Sequence, residues 1–350
     1  MGAEINGIIR FPLNPSIPHN VMNMDRPSSD NLLPWGLIGA GDIVRRRVAP
    51  ALKALENCEL VSVSRGQAEL AESFAAEFGI RKWFADWREL LADGEIDAVY
   101  IATPVYLHAE QTIAAAEAGK HVLCEKPMAL NVADCDRMIA ACRANNVRLG
   151  IAYYRRFYPV LARVREIIGN GIIGKPVFAQ INAFEFIPPT DEATQSWFFN
   201  KQKGGGGPMI DFGCHRLELL THLFGKATAV ESIVTNVAFD REVEDTAAAL
   251  LKFESGTCAS VIVTHAVREA QDTLDIFGTA GSIHIPVLNA GQLRLVNIEG
   301  ESTEIHSAAA NTHQPLIDEF SESVLSGRDP AVGGLTGRAI AELIDRIYGN

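Results

Sequence analysis

A lysine at the end of an apolar segment is the first residue of the chain that could take part in catalysis. Residues 121–124, His-Val-Leu-Cys, predict a short buried strand, and Glu125, Lys126 and Pro127 follow it directly. In open α/β sheets, ligands bind at the carboxyl edge of the strands, and a proline fixes the backbone beside the lysine. Lys126 is therefore placed to contact a substrate. The alternative is an ion pair at the surface end of a strand.

An aspartate and a histidine form the second candidate group. Asp211 and His215 lie four residues apart in a predicted amphipathic helix over 209–224, which follows the glycines 204–207. Residues at this spacing share a helix face, and a carboxylate beside an imidazole raises its proton affinity and orients it for acid/base chemistry. Gly213 costs about 1 kcal/mol relative to alanine inside a helix, which indicates that a bound group approaches there. The alternative is a structural role, with Asp211 at the helix N-terminus and His215 in the core.

A metal site at the same helix is less well supported. Asp211, His215 and His222 share a helical stripe, but Leu219 interrupts it. Zinc sites usually need further close ligands. We therefore expect no metal.

A glycine turn after the first predicted strand indicates a dinucleotide site. Residues 35–39 read as a strand, and Gly39-Ala40-Gly41-Asp42-Ile43-Val44 leads from it into a helix. The first glycine permits a tight turn, and the second lets the backbone approach a pyrophosphate at the helix N-terminus. Val44 replaces the third glycine of the full pattern. Since that glycine serves helix–strand packing, we expect a slightly wider contact and an intact phosphate site.

The end of the second predicted strand, over 58–64, bears on the type of nucleotide. NAD-specific sites usually place an acidic residue near this point to bind the ribose 2′-hydroxyl, whereas this chain has Ser64-Arg65. No carboxylate would repel a 2′-phosphate, and Arg65 could pair with one. We therefore predict NADP(H) in preference to NAD(H). The alternative is a solvated arginine at the start of a helix.

Strands and helices alternate up to about residue 152, and the pattern then changes. The alternation predicts a Rossmann domain over 34–152, with a doubly wound parallel sheet. Residues 153–350 read as an α+β domain on a large, mainly antiparallel open sheet. Residues 1–33 carry several prolines and little periodicity, which predicts an N-terminal arm, disordered or extended.

Composition excludes several classes of protein. The 350 residues carry a formal charge of −12, which argues against binding to nucleic-acid phosphates. No apolar run approaches the ~20 residues that a membrane helix needs. The six cysteines are sparse and form no Cys-x-x-Cys pair. A reduced, cytoplasmic protein is the simplest interpretation.

Taken together and in this order, the motifs resemble the glucose–fructose oxidoreductase / inositol dehydrogenase (Gfo/Idh/MocA) family over roughly residues 34–350. They are the Gly-x-Gly turn, Thr103-Pro104 with His108, Glu125-Lys126-Pro127, and Asp211-x-Gly-x-His215; residues 118–127 are the most specific part. The resemblance implies a Rossmann domain followed by a sheet domain whose open face forms a homodimer or homotetramer. It also implies NAD(P)-dependent oxidation or reduction of sugars, polyols or related carbonyl compounds.

The resemblance also implies roles for individual residues. Lys126 would hydrogen-bond the reacting oxygen, His215 would transfer the proton, Asp211 would assist, and the peptide bond before Pro127 would be cis. Weaker candidates for the substrate pocket are Tyr154, Arg156 and Trp197. The expected cofactor-binding residues are Gly39, Gly41, Asp42, Ile43, Ser64, Arg65, Thr103, Pro104, His108, Glu125 and Lys126.

Three residues depart from the family pattern. Val44 stands in the glycine turn, Val105 stands where asparagine is frequent, and Phe198 follows Trp197 where many members carry arginine. The last departure implies a substrate pocket with one cation fewer. The Ser64-Arg65 pair resembles NADP-using members such as anhydrofructose reductases and dihydrodiol or xylose dehydrogenases.

The main hypothesis is an NADP(H)-preferring oxidoreductase that acts on a hydroxyl or carbonyl carbon of a sugar-like small molecule. A second hypothesis is a glycosidase that uses tightly bound NAD(H) for transient oxidation. A third is a non-catalytic nucleotide-sensing protein. The presence of Lys126, Asp211 and His215 together counts against the third, since a pure binding protein needs no acid/base pair.

Overall fold

The computed structural model describes residues 31–188 and 197–349, and most of the predicted N-terminal arm, residues 1–30, lies outside this part. The first domain contains a parallel six-stranded sheet with the order β3-β2-β1-β4-β5-β6, as the alternating pattern predicted. Its strands are β1 (Leu33–Ile38), β2 (Cys58–Ser64), β3 (Lys82–Phe84), β4 (Ala98–Ile101), β5 (His121–Cys124) and β6 (Leu149–Ile151). The helices between them are α1 (Ala49–Ala54), α2 (Ala68–Phe78), α3 (Trp87–Leu91), α4 (His108–Glu117) and α5 (Val132–Ala144).

The central strands of this sheet are apolar along their whole length because helices cover both faces. All four residues of β4 are buried, and so are the last three of β5. Since the strands are parallel, their carboxyl ends meet at one edge. The predicted cofactor residues Gly39, Arg65, Thr103 and Glu125 follow β1, β2, β4 and β5, so one edge of the sheet collects them all.

The second domain is built on a nine-stranded sheet in which β7 and β10 pair in parallel and the other pairs are antiparallel. Burial alternates along β7 and β9, so one face packs on the core and the other is open. The strands are β7 (Pro176–Phe186), β8 (Ala227–Thr235), β9 (Thr246–Phe253), β10 (Cys258–Thr264), β11 (Ala266–Asp272), β12 (Leu274–Gly278), β13 (Gly281–Ile285), β14 (Gln292–Asn297) and β15 (Gly300–Ile305). This is the predicted mainly antiparallel open sheet.

Helices connect the second sheet to the first domain. Phe320 of α9 stacks at an angle on Trp35 of β1, with ring centroids 5.5 Å apart. The last helix, α10, packs against α5 and β8. The helices of this half are α6 (Pro159–Gly169), α7 (Lys201–Gly204), α8 (Cys214–Phe224), α9 (Gln314–Leu325) and α10 (Gly334–Tyr348).

Two kinds of local feature differ from the expectation. Strands β11 and β15 were not predicted, because charged and polar residues on both faces hide the alternation of an ordinary strand. The predicted helix over 209–224 begins as a π-helical turn, Met209–Gly213, before α8, and a second π-helical turn, Val44–Val48, precedes α1. Within the described residues, no helix has both the length and the apolar character that crossing a bilayer requires.

Candidate active site

A cavity of about 1040 Å³ runs along the carboxyl edge of the first sheet to the core face of the second. It brings together most of the residues that the sequence analysis selected. The predicted site residues that line it are Gly39, Gly41, Asp42, Ile43, Ser64, Arg65, Thr103, Pro104, Glu125, Lys126, Tyr154, Trp197, Asp211 and His215. His108 and Arg156 do not line it.

The glycine turn has the shape that a bound diphosphate needs. Gly39 adopts φ +97°, and a Cβ there would lie 2.6 Å from the carbonyl oxygen of Ala102, so only glycine fits. At Gly41 a Cβ would meet no atom within 4 Å, which leaves the backbone open to the cavity. Asp42 forms an exposed ion pair with Arg46. The turn therefore fits a dinucleotide diphosphate at the start of the following helix.

Arg65 lies beside this turn. Its Nη1 donates to the carbonyl oxygen of Ala40 at 3.1 Å, and the guanidinium makes no other hydrogen bond to a described residue. The hydroxyl of Ser64 is buried and directed at the carbonyl oxygen of Leu37, 3.5 Å away. Of the predicted pair, Arg65 thus presents free donors to the cavity, while the Ser64 side chain faces the strand.

His108 connects two loops behind the cavity wall. Its Nε2 lies 2.8 Å from the carbonyl oxygen of Thr103, and its Nδ1 lies 3.0 Å from that of Pro127. Burial lowers the pKa of His108, and a neutral imidazole has one N–H, so it can donate to one of these two acceptors. His108 positions the Thr103–Pro104 turn and has no surface in the cavity.

Glu125 has partners on both sides of the cavity wall. Tyr100 donates its hydroxyl to Oε1 at 2.8 Å, and His313 Nε2 lies 3.7 Å from the same oxygen. Burial alone would raise the pKa of Glu125, but His313, Lys126 and Tyr100 outweigh it and lower that pKa. The ring of His313 stacks on Tyr154, with centroids 4.3 Å apart. His313, which begins the segment leading into α9, was not identified from the sequence.

Lys126 contacts the helix of the second domain directly. Its Nζ donates to the carbonyl oxygen of Asp211 at 2.7 Å and lies 3.5 Å from the carboxylate. Burial would lower the pKa of Lys126, but the negative charge of Asp211 outweighs it and raises that pKa. The peptide bond between Lys126 and Pro127 is cis, as expected. Two contacts to Asp211 leave one N–H of the ammonium for a ligand.

His265 is a partner of Asp211 that the sequence analysis missed. It is fully buried, and its Nε2 lies 3.4 Å from the Asp211 carboxylate. Arg241 can only donate, and its Nη2 lies 3.0 Å from Nδ1 of His265. Nδ1 must therefore accept, which leaves the N–H of the ring on Nε2, toward Asp211. No motif marks His265, since it follows β10 and reaches the site only through the fold.

The expectation that Asp211 pairs with His215 and raises its proton affinity is wrong. Asp211 contacts Lys126 and His265, and Nδ1 of the buried His215 has no hydrogen-bond partner among the described residues. Burial, followed by the positive charges of Lys126 and Arg155, holds the pKa of His215 well below its ordinary value. The π-helical turn changes the angular offset between residues 211 and 215 from that of a regular α-helix. His215 is consequently a neutral imidazole in the cavity wall.

The interpretation of Gly213 also changes. A Cβ on Gly213 would lie 2.7 Å from Sδ of Met209 and 3.5 Å from Val263 of β10. The close approach is therefore to the core, and it gives no support for a bound group at this position.

Arg156, the predicted pocket residue, points away from the cavity, and its neighbour Arg155 lines the cavity instead. Arg156 pairs with the buried Glu218 and donates to the carbonyl oxygen of Ala331. The two arginines follow each other in a short 3₁₀ turn, Tyr154–Phe157, and no periodic pattern shows which of their side chains faces the cavity. Other cavity residues that the sequence analysis missed are Glu185, Phe212, Arg216 and His313.

Comparison with known proteins finds matches over both domains of the chain. A family model for an oxidoreductase family with an NAD-binding Rossmann fold matches residues 33–153, and a GFO/IDH/MocA C-terminal domain model matches residues 161–284. The chain is similar to 1,5-anhydro-D-fructose reductase of Ensifer adhaerens, with 33% identity over 312 residues that cover 87% of this chain and 91% of the relative.

Two solved structures are similar over most of their length. Aldose-aldose oxidoreductase from Caulobacter crescentus in complex with glycerol gives a TM-score of 0.83 at 28% identity, covering 91% of this chain and 97% of that one. Levoglucosan dehydrogenase in complex with NADH and levoglucosan gives a TM-score of 0.84 at 25% identity, covering 91% and 96%.

The depressed pKa of His215 predicts a pH dependence of stability. Below about pH 6.5 the unfolded chain binds a proton at this residue that the folded chain does not, so stability decreases as the pH falls. His215→Gln should make the fall in unfolding free energy from pH 6.5 to 5 shallower, by up to about 1.4 kcal/mol per pH unit. Urea denaturation at several pH values measures this.

His222 provides a comparison outside the cavity, since burial lowers its pKa to about 4. His222→Gln should reduce the same slope. An unchanged slope in His215→Gln, with a reduced slope in His222→Gln, would contradict the neutral state of His215.

Proposed function

Because the chain belongs to the Gfo/Idh/MocA oxidoreductase family, we propose that it is an NADP(H)-preferring enzyme acting on a hydroxyl or carbonyl carbon of a sugar, polyol or related compound. The observation that carries this proposal is the meeting of Lys126, Asp211 and neutral His215 at one end of the cavity that begins at the glycine turn. When bound, the nicotinamide would accept a hydride from the reacting carbon or donate one to it.

The residues at this end of the cavity suit the negative charge that develops on the reacting oxygen and the proton that is transferred. The remaining N–H of Lys126 would hydrogen-bond the reacting oxygen and stabilise negative charge on it. In oxidation, the neutral imidazole of His215 would accept the hydroxyl proton; in reduction, the imidazolium would return it. Asp211 would hold Lys126 in place, with His265 orienting the carboxylate. A depressed pKa suits His215 to release the proton again after each oxidation.

The remaining candidates form the wall around the substrate. Tyr154 places its ring edge against His215, with centroids 4.9 Å apart, and Trp197 lines the same cavity. We propose that both contact the substrate. The names of the relatives, an anhydrofructose reductase and an aldose-aldose oxidoreductase, support a sugar-like substrate.

The preference for NADP(H) rests on Arg65. Its guanidinium has free donors beside the glycine turn, and Asp42, a carboxylate of that turn, is already paired with Arg46. A 2′-phosphate placed here would gain charge-assisted hydrogen bonds. The levoglucosan dehydrogenase structure contains NADH, so this proposal separates the chain from that relative.

Titration with NADPH and NADH, followed by nicotinamide fluorescence, tests the cofactor preference. NADPH should bind more tightly, and Arg65→Ser should reduce the NADPH-over-NADH affinity ratio at least tenfold, since hydrogen bonds to charged groups contribute about 1.5–3 kcal/mol. Arg81→Ser is the control, because Arg81 pairs with Glu59 and Glu95 on the surface. Tighter NADH binding, or an equal effect of both substitutions, would contradict the role of Arg65.

Replacement of Lys126 tests the chemical role. Lys126→Met keeps the length of the side chain and removes the charge, and it should lower kcat on the best substrate of a sugar and polyol panel at least 100-fold. Lys53→Met, on the exposed side of α1, should keep the wild-type kcat. If Lys126→Met retained full kcat, Lys126 would not stabilise the reacting oxygen.

We also propose a homodimer or homotetramer formed through the open face of the second sheet. The register places Ile233, Leu250 and Phe277 on this face, where they are 70%, 60% and 40% exposed. An exposed apolar row of this kind is typical of a protein interface.

Sedimentation velocity tests the interface. The wild-type protein should sediment as a dimer or tetramer, and Leu250→Glu should shift it toward the monomer because a charge would be buried. Leu335→Glu is the control, since Leu335 is 61% exposed at the start of α10 and does not belong to the sheet. A wild-type monomer would exclude the proposal.

A further inference from the structure

Two buried arginines share one carboxylate in the cavity wall near His215. Arg155 Nη1 donates to Asp272 at 2.9 Å, and Arg216 Nη2 donates to the other Asp272 oxygen at 2.5 Å. Arg155 is 7% exposed and Arg216 3%. The other acceptors of these guanidinium groups are neutral: the side-chain oxygen of Asn289 for Arg155 and the carbonyl oxygen of Phe212 for Arg216.

Among the described residues, Asp272 balances one of the two positive charges, and both arginines face the cavity. Both arginines line the cavity, whereas Asp272 is not among its lining residues and lies behind them. Glu185 lines the same region, but it forms no ion pair within 4 Å with a cation of the described residues, and burial, followed by the charge of Asp211, raises its pKa. Glu185 is therefore a weak counter-ion for the pair.

The arginines also have unused hydrogen-bond donors. Nη2 of Arg155 makes no hydrogen bond to a described residue, and the Nε atoms of Arg155 and Arg216 are buried without partners. Burying a cation without a matching anion is costly, and arginine is the side chain best suited to bind a carboxylate. Burial and the charge of Arg155 lower the pKa of Arg216, as expected for two cations held close together.

We propose that Arg155 and Arg216 bind a carboxylate of the substrate, so that the substrate class is a sugar acid. This inference rests on the proposed function and adds the chemical class of its substrate. A monoanion such as a carboxylate would balance the one positive charge of the arginine pair that Asp272 does not balance. A phosphate monoester, with up to two negative charges, would leave an unbalanced charge in the same place.

Three ligands that differ only at C6 of one sugar ring test the proposal. D-Glucose, D-glucuronate and D-glucose 6-phosphate carry a hydroxymethyl group, a carboxylate and a phosphate at that carbon. Their binding to the cofactor-loaded wild-type protein is measured by calorimetry, which requires no turnover. D-Glucuronate should bind at least tenfold more tightly than either of the others. Equal binding of D-glucuronate and D-glucose would overturn the proposal, and tightest binding of the phosphate would replace the carboxylate by a phosphate.

Two neighbouring substitutions locate the subsite. Arg155→Met should reduce the ratio of D-glucuronate to D-glucose affinity at least tenfold. Arg156→Met should keep the wild-type ratio, because Arg156 pairs with Glu218 outside the cavity. Equal changes in both variants would overturn the assignment to Arg155.

Kinetics with the same cofactor separate this inference from the proposed function. Cofactor turnover with neutral sugars, together with no advantage for sugar acids, would overturn the carboxylate subsite and keep the oxidoreductase. Preferential binding of D-glucuronate without cofactor turnover on any sugar, polyol or sugar acid would support the subsite and overturn the proposed function.

Discussion

The contact between Lys126 and Asp211 is the constraint on which the arrangement of the site depends. It joins the carboxyl edge of the first sheet, where β5 ends, to the π-helical turn that begins the main helix of the second domain. A partly buried ion pair of this kind adds little net stability, because desolvation offsets the attraction. Its effect is on geometry, because the ammonium must lie within reach of both the backbone carbonyl oxygen and the carboxylate of Asp211. The carboxyl edge of the first sheet is thereby placed against the wall of the second domain.

Further polar groups contact Asp211 on one side and Glu125, next to Lys126, on the other. Arg241 fixes the tautomer of His265, and His265 directs its proton at Asp211. On the other side, Tyr100 and His313 hold Glu125, the neighbour of Lys126. His215 stands outside this network: burial, followed by the positive charges of Lys126, Arg155 and Arg216, lowers its pKa. The same cations that keep His215 neutral are those that a substrate anion or a developing alkoxide would meet.

The sequence predicted the parts of this site that short-range signals determine. Apolar segments followed by a glycine turn, by Thr103-Pro104 or by Glu125-Lys126-Pro127 mark strand ends, and a parallel sheet brings strand ends to one edge. The groups that were missed lie on the second domain. His265 reaches Asp211 because of the pairing between β9, β10 and β7, and Asp272 ends a strand with no visible alternation. Arg155 and Arg156 differ only in the phase of a 3₁₀ turn, which no periodic pattern encodes.

The residues predicted from motifs bear on the reaction, whereas the residues that were missed bear on which substrate would fit. The motif residues are those to which the family resemblance gives a role in the reaction, so they say little about what would surround the reacting carbon. The replacement of arginine by Phe198 predicted a pocket with one cation fewer. Phe198 does not line the cavity, and its ring stacks on His265 with centroids 6.0 Å apart. Yet Arg155 and Arg216 bring two cations to the same cavity from other elements. The charge of a pocket is a sum over all the elements that form its wall, and it cannot be read from one position of a motif.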